Sequence, residues 1–131
     1  MLAVTAVLAL FLSLSFFNHP SADDFCFAAK ARQLGFCGAQ AFWYENWSGR
    51  YTLNSVWTAF MLSGDPVKNY PWPAVILLLS TWLSFSFLAA RISQDRLSAP
   101  NLFLLGGVWT ILFISGTPDP AQTFYWLGGS I

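Results

Sequence analysis

Residues 72–90 read WPAVILLLSTWLSFSFLAA and contain no charged side chain. As a helix, this stretch would be about 28 Å long at 1.5 Å per residue, close to the roughly 30 Å of hydrocarbon in a bilayer. Pro71 and Pro73 lie where the helix would begin, and the first turn tolerates proline because its N–H groups have no helical partner. The stretch therefore predicts a transmembrane helix.

Two other apolar stretches accompany it. Residues 2–17 (LAVTAVLALFLSLSFF) are barely long enough to cross a bilayer, and residues 101–116 (NLFLLGGVWTILFISG) contain a Gly-Gly pair that would let another helix pack closely. The first stretch has an alternative interpretation as a cleaved signal peptide. No Lys or Arg precedes it and its end lacks a small-x-small cleavage site, so an uncleaved membrane anchor is favoured.

Composition supports a membrane protein. The chain is 56% hydrophobic, 18% aromatic and 9% charged, with a mean hydropathy of +0.53, whereas a soluble domain carries about 25% charged residues. The net charge is zero and no basic run occurs, so nucleic acid is not indicated as a partner. Because helices satisfy their own backbone in lipid, we expect one all-α, multi-pass membrane domain over residues 1–131 with membrane lipid as a partner.

The short connection between the second and third predicted spans indicates orientation. It carries Arg91 and Arg96 against Asp95, and short basic loops stay in the cytoplasm. This prediction places the N-terminus inside and residues 18–71 and 117–131 outside.

The long outer loop is predicted to be partly helical. Over residues 25–44, Lys30, Gln33, Gln40 and Tyr44 recur at helical spacing, which predicts an amphipathic helix lying along the membrane plane. Aromatic residues of this region fit an interfacial belt: Trp43, Tyr44, Trp47, Tyr51, Trp57, Tyr70 and Trp72.

The two cysteines are predicted to be free, partly buried thiols on the outer side. In one continuous helix Cys26 and Cys37 would lie about 16 Å apart along the axis, too far for a disulfide. A bridge would need a break in the helix at Gly35 or Gly38.

An acidic pair, Asp23 and Asp24, directly follows the first apolar stretch. Ser21 and Asp24 match a capping box at a helix start, which explains Asp24 and leaves Asp23 spare. Adjacent carboxylates repel one another unless a cation or a positive substrate group lies between them. A site that deprotonates a hydroxyl, or holds a divalent metal such as Mg²⁺ or Mn²⁺ against phosphate oxygens, would use such a pair. The helix cap and the catalytic or metal-binding pair both remain open.

Two further groups are candidate substrate contacts. The Arg50 guanidinium is shaped to bind phosphate through two hydrogen bonds, and the alternative is a surface ion pair with Glu45. Tyr125 and Trp126 would present rings that stack on a sugar, or else anchor the chain at the membrane interface.

The order of these motifs resembles a known family. A first span followed by Asp-Asp-Phe, then Trp-Ser-Gly-Arg-Tyr, then Tyr-Trp-x-x-Gly-Ser is similar to the start of bacterial multi-pass membrane proteins of the GT-C glycosyltransferase type, or of a related uncharacterised bacterial membrane family. Such enzymes transfer a sugar from a polyprenyl-phosphate donor on the extracytoplasmic face of the inner membrane. The resemblance implies that Asp23 or Asp24 is the general base or metal-associated carboxylate, with Arg50 near the donor phosphate and Tyr125 and Trp126 near the sugar.

The resemblance also implies a longer protein. We expect the chain to be an N-terminal part that is inactive alone, because three spans cannot enclose a lipid-sugar cavity, and the rest of the protein would be its partner. The competing interpretation is a small non-catalytic membrane subunit.

Overall fold

The computed structural model describes residues 2–47, 50–94 and 96–125, and every regular element in these ranges is helical. The all-α prediction is therefore confirmed for the described chain. The elements in order are α1 (Leu2–Leu14) with a 3₁₀ turn (Ser15–Phe17), α2 (Ala22–Asn46), α3 (Tyr51–Leu62), α4 (Pro66–Asn69), α5 (Pro71–Ser93), α6 (Ala99–Gly116) and a π-helical turn (Ala121–Tyr125).

Two helical segments of the described chain are long and apolar enough to cross a membrane. They are Pro66–Ser93, which combines α4 and α5, and Ala99–Gly116, which is α6. These segments contain the second and third predicted spans. The first predicted span forms the shorter apolar helix Leu2–Phe17, so length and composition support two membrane crossings and leave the third a prediction.

Small residues let α1, α5 and α6 pack closely. A Cβ atom added to Gly106 would lie 2.7 Å from the backbone nitrogen of Ser86, and one added to Gly107 would lie 2.7 Å from a methyl carbon of Val4. Both separations are shorter than van der Waals contact, so glycine is required for this approach. Gly106 thus brings α6 against α5, and Gly107 brings α6 against α1.

Helix α2 does not run straight, because it reverses at Gly35. This residue has φ 69° and ψ 180°, a conformation that is essentially restricted to glycine. A straight helix would hold residues 27 and 43 about 24 Å apart, but the rings of Phe27 and Trp43 stack with centroids 3.8 Å apart. The expected helix over residues 25–44 is therefore two antiparallel helical halves.

The two halves of α2 and helix α3 form a unit with its own core. The Phe27 ring is stacked between Trp43 and Trp57, with centroids 3.8 Å away on each side. The Gln40 side chain ties the second half of α2 to α3, since its Nε2 donates to the Thr58 hydroxyl at 2.9 Å. We call residues 22–62 the outer unit, after the side of the membrane that the sequence predicts for them.

Burial divides the predicted interfacial aromatics into two groups. Trp43, Trp57 and Tyr70 are buried within the protein, because they fill the core created by the reversal of α2. Tyr44, Trp47, Tyr51 and Trp72 are exposed. Only the exposed group remains available for a belt at a membrane surface.

The outer unit meets the α1–α5–α6 bundle at one end of the bundle. The Phe16 ring contacts the Trp72 ring in an edge-to-face arrangement with centroids 6.5 Å apart. The Asn18 side chain donates a hydrogen bond to the Tyr125 carbonyl oxygen, and the Asp24 carboxylate accepts one from Tyr70. The end of α1, the start of α5 and the segment after α6 therefore share this end.

Candidate functional site

The acidic pair lies in the first turn of α2, and helix geometry points the two carboxylates in different directions. The Asp24 carboxylate accepts a hydrogen bond from the Ser21 backbone N–H at 2.8 Å, as in the predicted capping box. Successive residues of a helix point about 100° apart, so the Asp23 side chain is exposed while only 1% of Asp24 remains accessible. The two acids do not form one paired site.

The oxygens of Asp24 have unequal surroundings. Oδ2 accepts from the Ser21 N–H at 2.8 Å, from the Ser21 hydroxyl at 3.2 Å and from the Tyr70 hydroxyl at 2.7 Å. Oδ1 is buried and has no hydrogen-bond partner among the described residues. Buried polar atoms without partners are uncommon in native structures, and Oδ1 is an acceptor that the described chain leaves unused.

Tyr70 is a site residue that sequence reasoning assigned only to the aromatic belt. It is 1% accessible and directly precedes α5. Its hydroxyl donates a hydrogen bond to Asp24, which lies 46 positions earlier in the sequence. No motif spacing reveals such a contact. The sequence offered one indication of this contact. Tyr70 lies beside Pro71 at the start of a predicted span, on the same predicted side of the membrane as the acidic pair.

Two buried side-chain nitrogens of the outer unit also lack a hydrogen-bond partner among the described residues. They are the indole N–H groups of Trp43 and Trp57, whose rings stack on Phe27. Phe27 lies three residues after Asp24, which places both on one face of the helix. The aromatic core around Phe27 therefore contains two buried donors that the described chain leaves unpaired.

The predicted metal pair lacks supporting ligands. Within the part of the chain that the structure describes, no group of three His, Cys, Asp or Glu side chains is arranged to hold a metal, and Asp23 diverges from Asp24. The residues present offer one carboxylate oxygen, which does not fit a protein-held Mg²⁺ or Mn²⁺.

Arg50 lies at the same end of the outer unit as Asp24. The reversal of α2 brings its last turn back to its first, so that the Trp47 and Phe27 rings lie 5.4 Å apart, and Arg50 follows three residues later at the start of α3. Its side chain is exposed and forms no ion pair with Glu45. The surface ion pair between Arg50 and Glu45, which was the alternative prediction, is thus absent from the described residues.

Tyr125 supports the end of the bundle and does not contact the acids. Its hydroxyl donates to the Phe11 carbonyl oxygen at 2.8 Å, and burial raises the pKa of its phenol above the ordinary value of 10.0. Trp126, the other predicted sugar contact, lies outside the described residues, as do Ser48 and Gly49 of the Arg50 motif and Asp95 of the basic turn.

Cys26 and Cys37 are free, as predicted, but both are exposed, so the predicted partial burial is wrong. The helix does break at Gly35, yet the thiols do not pair, because Cys26 lies nine residues before the break and Cys37 only two residues after it.

Comparison of the chain with family models, with curated proteins and with solved structures finds no match. Function must therefore be argued from the site.

Proposed function

We propose that this chain belongs to a bacterial membrane glycosyltransferase of the GT-C type. The protein would transfer a sugar from a polyprenyl-phosphate donor on the extracytoplasmic face of the inner membrane. The N-terminus would lie in the cytoplasm, and Asp24 would be the general base. The chain would act together with further membrane-spanning helices of the same protein.

One observation carries this proposal: the Asp24 carboxylate is held firmly through Oδ2 while Oδ1 is left without a partner. A general base must keep a fixed orientation and still have a free acceptor atom within reach of the proton that it takes. The three donors to Oδ2 supply the orientation, and Oδ1 supplies the acceptor. The unpaired indole N–H groups of Trp43 and Trp57 would add donors for the oxygens of a hydroxyl-rich ligand.

The proposed reaction needs no base other than Asp24, and each bond that forms is matched by one that breaks. The acceptor hydroxyl gives its proton to Asp24 Oδ1, and its oxygen forms the new bond to the anomeric carbon. The bond from that carbon to the phosphate oxygen breaks, and the polyprenyl phosphate leaves with the electron pair. Arg50 would stabilise the charge on the departing phosphate, while Tyr125 and Trp126 would lie beside the sugar ring.

Substitution of Asp24 in the protein encoded by the complete reading frame tests the proposal. Membrane vesicles would be supplied with a radiolabelled polyprenyl-phosphate sugar, and label transfer would be measured. We expect Asp24→Asn to lower the transfer rate about 10²- to 10⁴-fold, the usual contribution of a general base. Asp23→Asn should cause a smaller loss, and Glu45→Gln should leave the rate unchanged.

The amount of folded protein in each vesicle preparation is the necessary control, because Asp24 also caps α2. Normal transfer by folded Asp24→Asn protein would exclude the general-base role.

A second candidate function is a non-catalytic membrane subunit, and the saturation of Oδ2 favours it. A carboxylate that caps α2 and also binds Tyr70 has a complete structural role. In that case the wild-type protein would transfer no label, and Asp24→Asn would lower only the yield of folded protein.

A further inference from the structure

A groove lies along the first half of α2, beside the candidate site and separate from it. The groove is open to the surface and has a volume of about 510 Å³ between this half-helix and the segment at the start of α4, a volume in the range of small-ligand sites. Its apolar surface comes from Phe25, Ala28, Ala29 and Val67, and its charged groups are Arg32 and Asp65.

Arg32 places a positive charge at this groove, and most of its N–H donors have no described partner. Its Nη2 donates to the Gly64 carbonyl oxygen at 3.2 Å, which fixes the guanidinium beside the segment that leads into α4. A guanidinium has five N–H donors, and Arg32 forms no ion pair with a described carboxylate. Its remaining donors are therefore available to an anionic group.

Asp65 provides an anion on the same groove. Its Oδ1 accepts from the Val67 backbone N–H at 3.0 Å and so fixes the turn into α4. Although Arg32 binds the residue directly before Asp65, the two side chains form no ion pair with each other. The groove thus presents a positive and a negative group, each held in place and each without a described counter-charge.

We propose that this groove binds a zwitterionic phosphate–ammonium group, of which phosphoethanolamine is the simplest example. The phosphate would contact Arg32, because guanidinium matches phosphate geometry, and the ammonium would contact Asp65. The short carbon linker would lie on Ala28 and Ala29. A ligand of a single charge would be attracted by one side chain and repelled by the other, so opposite charges on one ligand fit the groove better.

Isothermal titration of the detergent-purified chain with phosphoethanolamine tests the proposal. We expect saturable binding, with inorganic phosphate and ethanolamine each binding about ten-fold more weakly or worse, because each would lose one charge-assisted contact. Arg32→Gln and Asp65→Asn should each weaken phosphoethanolamine binding about ten-fold or more.

Each variant has a matched control. Arg96→Gln removes a positive charge from the turn after α5, at the other end of the bundle. Asp119→Asn changes a carboxylate that accepts from the Gln122 N–H at 3.0 Å, the same kind of local cap as Asp65 provides. Neither control should alter binding. Ala29→Phe would fill the groove without removing a charge or a cap, and it should abolish binding in a chain that still folds.

A second arm distinguishes a soluble ligand from a lipid headgroup. The chain would be reconstituted in nanodiscs of phosphatidylethanolamine or of phosphatidylglycerol, and the midpoint of thermal denaturation would be compared. A higher midpoint in phosphatidylethanolamine that Ala29→Phe removes, without binding of soluble phosphoethanolamine, identifies the lipid as the source.

The absence of both effects would overturn the proposal. So would binding of inorganic phosphate as tight as that of phosphoethanolamine, since this would indicate a simple anion site. These results do not depend on sugar transfer, so the groove and the Asp24 proposal can fail separately.

Discussion

At the scale of single residues, Asp24 both caps α2 and joins α2 to the start of α5. Its Oδ2 closes the first turn of α2 and reaches the start of α5 through Tyr70. Its Oδ1 stays unpaired in the interior. Because removal of a partner from a buried charged group is costly, the Tyr70 hydroxyl should contribute measurably to stability.

We expect Tyr70→Phe to destabilise the protein by about 1.5 to 3 kcal/mol, the range for a hydrogen bond to a charged group. The measurement is the denaturation midpoint of the purified chain in detergent, compared with wild type. Tyr44→Phe is the matched control, since the Tyr44 ring is exposed and stacks on Tyr51. Equal midpoints for the Tyr70→Phe variant and wild type would show that this bond contributes nothing.

The raised pKa of Tyr125 predicts a dependence on alkaline pH. Burial favours the neutral phenol in the folded protein, so its contribution to stability is fully present below the ordinary pKa of 10.0 and is lost as pH rises through the folded value. Wild-type stability should therefore fall more steeply than that of Tyr125→Phe above pH 10.0. Denaturation midpoints across alkaline pH would measure this, and parallel profiles for the two proteins would contradict it.

Local spacing explains why one half of the candidate site could be predicted from the sequence. Ser21 and Asp24 are three residues apart and form the predicted capping box. Tyr70 contacts the same carboxylate from 46 positions away, and no periodicity encodes that distance. The sequence likewise did not assign the catalytic role to one of Asp23 and Asp24, because the contact between Tyr70 and Asp24 forms only in the folded chain.

At the scale of helices, Gly35 determines the shape of the outer unit. Its φ of 69° reverses α2, and an added Cβ would meet no atom within 4 Å. Backbone conformation alone therefore requires glycine here. The amphipathic period over residues 25–44 predicted helix correctly, but a period of 3.6 residues persists through a reversal and cannot reveal it.

Gly35→Ala should lower the free energy of unfolding by about 1 to 3 kcal/mol, the cost of a non-glycine residue in this conformation. Gly116→Ala is the matched control, because that position is equally open and does not have a positive φ. Denaturation midpoints of the two variants would be compared. A Gly35→Ala protein as stable as its control would mean that α2 need not reverse at this residue.

Close packing of α5 and α6 leads to a second glycine prediction, which depends on a steric clash and not on backbone conformation. A Cβ at Gly106 would lie 2.8 Å from the Ser86 Cα atom, so Gly106→Ala must separate the two helices. We expect a loss of about 1 to 3 kcal/mol, as for overpacked cores, and Gly116→Ala again serves as the control. An unchanged midpoint would show that α5 and α6 shift apart without cost.

At the scale of the whole molecule, the helical bundle and the outer unit are joined at one end. The sequence predicted that residues 18–71 and 117–131 lie on one side of a membrane, and this stays a prediction. The structure shows that Asn18 contacts Tyr125. The side of a membrane that this end faces is predicted from the basic turn alone. Apolar length could predict the two helices that are long enough to cross a membrane, whereas the aromatic core of the outer unit depends on contacts that only the folded chain creates.

Labelling of thiols in intact cells tests the predicted orientation. Cys26 and Cys37 are exposed on the outer unit, so a membrane-impermeant maleimide should label both from outside. A chain that lacks both natural cysteines and carries Ser98→Cys in the turn before α6 should be labelled only after the membrane is opened. The reverse pattern would mean that the N-terminus lies outside.

The bond between Asp24 and Tyr70 also constrains the order of events during biosynthesis. A ribosome that adds about 5 to 20 residues per second needs roughly 2 to 9 seconds to proceed from residue 24 to residue 70. During that interval the carboxylate lacks its most distant partner, and the start of α5 has not yet been made. The outer unit can therefore reach its final form only after the nascent chain has delivered the residue that opens the next apolar helix.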